Sequence, residues 1–152
     1  MPRLALADGP ERSTTLHRRI RGVGRVVFGL CAMVFGAAHF YFLEYTAKMA
    51  PQWLPPGPQF WALATGVCHL LAGIAIVTGV QALLATRLLT AMILSFGALV
   101  WAPSVIANPT THVFWSGNAI NLALAAAAWT VADMIAGQRR AESSRGRGSE
   151  PV

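Results

Sequence analysis

Four apolar runs, at about 23–43, 60–80, 87–107 and 115–136, dominate this chain. Each has close to the roughly 20 residues that an α-helix needs to cross ~30 Å of hydrocarbon. Together they hold three formal charges, Arg25, Arg87 and Asp133, each near the end of a run. Inside a bilayer every backbone polar group must be satisfied by the segment itself, and a helix does this turn by turn. The runs therefore predict an all-α membrane protein. Composition agrees, because 12% of the 152 residues are charged, against ~25% in a soluble domain. One transmembrane unit at 23–137 is expected, between two polar segments, 1–22 and 138–152. Both look disordered, the first with room for a short surface helix.

The net charge of +6 is placed for orientation rather than for nucleic acid. Arg3, Arg12, Arg18, Arg19 and Arg21 precede the first run, Arg87 marks the second connection, and Arg139, Arg140, Arg145 and Arg147 follow the last run. Lys48 is the one Lys or Arg in the first and third loops. Basic residues collect on the cytoplasmic side. Both termini are thus expected in the cytoplasm, with the chain in the inner membrane and no nucleic-acid partner. The first run continues through Phe40, Tyr41 and Phe42, past any cleavage point near Gly36-Ala37-Ala38, so an uncleaved helix is expected rather than a signal peptide.

The connections are short, which makes sequential helices pack antiparallel. An up-down-up-down four-helix bundle follows. In the first outer loop, Pro51, Pro55, Pro56 and Pro58 cannot sit in a continuous helix. Glu44 and Lys48, four apart, suggest one more helical turn before Pro51 ends it. Pro103 should kink or end the third helix. Trp53, Trp61, Trp101 and Trp115 fall near the outer boundary, as an interfacial aromatic belt or as the lining of an outer pocket.

Small residues phase the helices, because in lipid they let backbones approach where no hydrophobic drive exists. Gly29, Ala32, Gly36 and His39 recur at helical spacing, as do Ala62, Gly66, His69 and Gly73. Thr90, Leu94, Gly97, Trp101 and Ser104 form a third seam, and Asn118, Asn121, Ala125, Ala128 and Ala132 a fourth. Both histidines and both asparagines fall on these seams. An ionisable group at membrane depth is costly and usually faces protein or water. Counting 1.5 Å per residue from the outer helix ends puts Asn118 roughly 5 Å down, His39 roughly 6 Å, Asn121 roughly 9 Å and His69 roughly 13 Å. This is a polar ladder descending from outside, with Trp101 near its mouth and Glu44 above it. At a depth difference of ~7 Å no direct His39–His69 contact is expected, and Asn121 is placed to bridge them.

Such a cavity suits a polar-headed ligand. Quinone fits, because His and Asn can hydrogen-bond its carbonyls and an imidazole with a pKa near 6.5 can pass protons. The same residues also fit interhelical hydrogen bonds worth about 1 kcal/mol each. Two histidines at different depths without a second carboxylate do not make a metal site. Asp133 lies at the level of Arg25 and Arg87, which suggests a structural ion pair. Cys31 and Cys68 form no C-x-x-C and read as small buried residues. No haem, flavin or iron–sulfur motif, Ser/His/Asp arrangement, phosphate loop or carboxylate pair is present, so no catalytic residue is assigned and no intrinsic cofactor is expected.

Three stretches, Gly36-Ala-Ala-His-Phe40, Met49-Ala-Pro-Gln-Trp-Leu-Pro55 and Trp61-Ala-Leu-Ala-Thr-Gly-Val-Cys-His-Leu-Leu-Ala-Gly-Ile-Ala-Ile76, resemble the DoxX-like family of small four-helix integral membrane proteins. The resemblance runs over about 22–136. It implies membrane subunits of quinone-linked oxidoreductases, one acting on thiosulfate, and a member of a membrane complex for thiol and oxidative-stress defence. More distant relatives help receptors assemble. Related sequences often carry Glu where this chain has His69. Two readings follow: a quinone-interacting subunit with a soluble or membrane oxidoreductase partner, or a non-enzymatic assembly factor or scaffold. A channel or transporter fits less well, because four short helices show no evident inverted repeat, unless the chain forms a homo-oligomer.

Overall fold

The structure, a computed structural model, describes residues 9–147. Its elements are α1 (Gly9–Tyr41), α2 (Leu43–Met49), α3 (Pro58–Thr78), α4 (Ala82–Phe96), a π-helical turn (Gly97–Trp101), α5 (Ala102–Ala107) and α6 (His112–Arg147). There is no strand among the described residues. Four stretches, Arg19–Tyr41, Pro58–Thr78, Ala82–Ala107 and His112–Ser144, are long and apolar enough to cross a membrane. The chain is a multi-pass integral membrane protein, and α4, the π-turn and α5 together make its third span.

Local chemistry sets the ends of these helices. α2 stops at Met49, two residues before Pro51. Pro58 opens α3, where its missing N–H would have had no intrahelical partner. Gly79 closes α3 in the left-handed conformation, φ 84°, and its N–H reaches the Ala75 carbonyl, an arrangement that costs glycine little. Residues 9–22 and 138–147, expected as disordered tails, instead continue α1 and α6. A formed helix propagates without a second nucleation cost, and Gln138, Arg139, Arg140, Ala141 and Glu142 are good helix formers. The ends of both tails, 1–8 and 148–152, lie outside the described residues.

Two antiparallel pairs, α1 with α3 and α4 with α6, carry most of the packing, and α3 with α4 joins them. Gly29 and Gly36 are seven residues apart on α1, and so are Gly66 and Gly73 on α3. A Cβ on Gly29 would lie 3.0 Å from the Gly73 carbonyl oxygen, and one on Gly36 would lie 2.8 Å from both the Gly66 carbonyl oxygen and the Leu70 nitrogen. The helices therefore meet backbone to backbone. Ala32, Ala72, Ile76, Leu89, Ile93, Ala125 and Ala128 form the apolar core where the four spans converge. Large residues such as Val34, Leu71, Leu88 and Trp129 face outward, as expected where the solvent is lipid.

The seams of α1 and α3 are buried at every expected position. On α6, Asn121, Ala125, Ala128 and Ala132 are buried and Asn118 is half-buried. The α4 seam differs at one place: Ile93 turns inward while Leu94 is 47% exposed. The buried residues step 90, 93, 97 rather than 90, 94, 97, and both sequences of steps satisfy helical spacing. Pro103 neither ends the span nor stands in its middle turns. It falls in the first turn of α5, just after the π-turn, whose closing bond runs from the Ala102 N–H to the Gly97 carbonyl. A proline is tolerated in a first helical turn.

Candidate functional site

His39 and His69 lie on facing sides of the α1–α3 seam, 8% and 3% exposed. Their rings stack, with centroids 5.2 Å apart and planes 29° apart. Phe35 joins both, 5.2 Å from His39 and 5.1 Å from His69. His39 Nδ1 lies 2.8 Å from the Phe35 carbonyl oxygen, and His69 Nδ1 lies 2.9 Å from that of Thr65. A carbonyl oxygen can only accept, so each Nδ1 is the donor. A neutral imidazole with its proton on Nδ1 presents Nε2 as a bare lone pair. Neither Nε2 has a hydrogen-bond partner among the described residues. The sealed, unpartnered side-chain nitrogen among those residues is Arg25 Nε, so both imidazole Nε2 atoms keep some accessible surface.

This contact overturns the expectation that the histidines stand too far apart to meet. Rise per residue gives depth along the helix axis alone, but side chains on a helix lean towards its N-terminus. α1 and α3 run antiparallel, so His39 and His69 lean towards each other and close the gap. Gly36 and Gly66 make this possible by removing bulk between the backbones; a Cβ on Gly66 would lie 2.9 Å from the His39 Cβ. Phe35 and Thr65 carry no motif that marks them in the sequence. Their signal is position alone, since each lies four residues before a seam histidine, one turn away.

Asn121 does not bridge the two imidazoles. Its Nδ2 donates to the Ile93 carbonyl oxygen at 3.0 Å, tying α6 to α4. Gly97 admits this amide, because a Cβ there would sit 2.9 Å from Asn121 Nδ2. One turn further out, the Trp101 indole lies against Gly117, in the space a Cβ on Gly117 would occupy. Asn121 and Trp101 thus belong to the α4–α6 half of the bundle, and the histidines to the α1–α3 half. Both groups lie on the α2 side of the apolar core. Single π-turns inside α-helices often mark functional sites, and this one carries Gly97 and Trp101.

Other expected residues are dispersed. Asn118 is half-buried and Glu44 is exposed on α2. The Trp61 and Trp115 Nε1–H groups donate to the Pro55 and Pro109 carbonyl oxygens at 3.1 and 2.9 Å. They fasten the two loops at this end, while the Trp53 side chain is largely exposed. The expected Asp133–Arg25–Arg87 ion pair does not form among the described residues. Asp133 and Arg87 are exposed, because each follows a buried seam residue and is rotated about 100° from it. The Arg25 guanidinium lies beside Gly79 instead, at the C-terminus of α3, where the helix dipole favours a cation. Cys31 and Cys68, expected to be buried, are exposed free thiols; each immediately precedes a buried seam residue.

A family model described as DoxX matches residues 21–104, more than half of the chain. The match takes in His39, His69, Glu44 and Trp101, and leaves α6 with Asn118 and Asn121 outside it. No curated protein and no solved structure matches the chain.

Proposed function

We propose, from the premise that this chain belongs to the DoxX family, that it is a quinone-interacting membrane subunit of an oxidoreductase complex. The stacked histidine pair, with both Nδ1 atoms committed to backbone and both Nε2 atoms unpartnered, carries this reading. The half-reaction is quinone plus two electrons and two protons giving quinol. A neutral Nε2 accepts a hydrogen bond from a quinol hydroxyl and takes its proton as the ring is oxidised. A protonated Nε2–H donates to a quinone carbonyl and returns the proton on reduction. The electrons pass through a redox centre of a partner oxidoreductase, since imidazole itself carries none. The arginines at the α1 N-terminus and α6 C-terminus support a cytoplasmic location for that end in the inner membrane; in that orientation the histidines lie in the outer half.

Decylubiquinol titrated into the protein in nanodiscs tests this. His39→Leu and His69→Leu should each weaken binding about 10–100-fold, as the loss of a hydrogen bond to a proton-accepting group implies. Thermal unfolding should show both variants folded. Unchanged quinol affinity in folded variants would refute the site and favour the scaffold reading, with the histidines as packing residues.

A further inference from the structure

At the opposite end of the bundle, α1 and α6 leave a cleft of ≈ 180 Å³ lined by Arg21, Gly22, Arg25, Met134, Ile135 and Gln138. We propose that this cleft binds the phosphodiester head group of an anionic phospholipid. Arg21 and Arg25 are four residues apart and so share one face of α1. They lie two and six residues inside the span that begins at Arg19, roughly 3 and 9 Å along its axis. From either position the guanidinium reaches the head-group layer by extending its stem towards the N-terminal end of the span. No carboxylate neutralises them: among the described residues neither makes an ion pair, and Asp133 and Glu142 on α6 are both exposed.

Arg21 has no protein counter-charge and Arg25 has only the partial negative end of the α3 dipole beside Gly79, so the pair keeps a net positive charge that an anion offsets, and guanidinium matches phosphate geometry. Gln138 adds an amide donor. Met134 and Ile135 give the remaining wall an apolar surface, which suits the start of an acyl chain and not a hydrated free ion. The volume is below the ~300–1,000 Å³ of sites that engulf a whole small molecule, as expected for a site that takes a head group and leaves the tails in the bilayer.

Native mass spectrometry of the full chain, released from micelles containing dioleoylphosphatidylglycerol or dioleoylphosphatidylcholine, decides this. One phosphatidylglycerol should be retained per chain. Arg21→Gln with Arg25→Gln should lower its retention about 30-fold, from two head-group-level cations. Arg139→Gln with Arg140→Gln removes the same charge from the same end outside the cleft, and should leave retention near the starting value. Gly22→Leu fills the cleft while keeping both arginines. A Cβ there meets nothing within 4 Å, so this variant should fold and still lose the lipid. Equal loss in both double variants would overturn the proposal in favour of diffuse surface attraction. Equal retention of phosphatidylcholine would overturn it too, as would displacement of the lipid by millimolar inorganic phosphate, which would identify a free anion as the ligand.

Discussion

Gly36→Val should separate α1 from α3 and lower the unfolding free energy by about 3 kcal/mol, the upper end of ordinary overpacking costs. The atoms that would meet the new Cβ include the Gly66 carbonyl oxygen and the Leu70 nitrogen, both at 2.8 Å. Both are helix backbone and cannot rotate away as a flexible side chain would. Relief requires the helices to move apart, which also pulls apart the His39–His69 stack directly above. Gly22→Ala provides the contrast: it lies on the same helix with nothing near its Cβ, and helix propensity alone should stabilise it by up to about 1 kcal/mol. Unfolding in mixed micelles followed by circular dichroism measures both. Equal stability of Gly36→Val and the parent would mean that α1 and α3 do not meet at this glycine.

Gly117→Leu should have the next largest effect, about 2–3 kcal/mol of destabilisation with Trp101 displaced. The indole occupies the place of the missing side chain, so the two cannot coexist in one packing. Trp101 is carried by the π-turn, and displacing it should disturb the adjacent Gly97–Asn121 approach. The physical signature is non-additivity. In a Trp101→Ala background the ring is gone, and the further cost of Gly117→Leu should fall below 1 kcal/mol. Full additivity of the two substitutions would show that Trp101 and Gly117 do not share this space.

The sequence revealed some of this arrangement and concealed the rest for identifiable reasons. The spans follow from length and missing charge, which a bilayer enforces directly. The α1 and α3 seams follow from glycine, since Gly29, Gly36, Gly66 and Gly73 mark the faces where backbones touch. The π-turn was hidden because a single widened turn barely alters an apolar pattern. The His39–Phe35–His69 cluster was hidden because axial depth omits the lean of side chains, which in an antiparallel pair adds twice. The ion pair expected at Asp133 does not form because equal depth says nothing of azimuth, and Asp133 faces away from the seam that Ala132 fills. Asn121 faces inward as its seam position implies, but the carbonyl of Ile93, a backbone partner on another helix, is invisible to residue spacing.

The histidine assignment is most directly tested by 15N NMR of ring-labelled protein at about pH 8, above the usual imidazole range. His39→Leu and His69→Leu spectra assign the resonances. Both buried imidazoles should be Nδ1–H tautomers with unprotonated Nε2, and decylubiquinol should shift both Nε2 signals while leaving Nδ1 in place. Nε2–H tautomers, or Nε2 signals indifferent to quinol at saturating concentration, would contradict the histidine pair as the place where this protein meets its quinone.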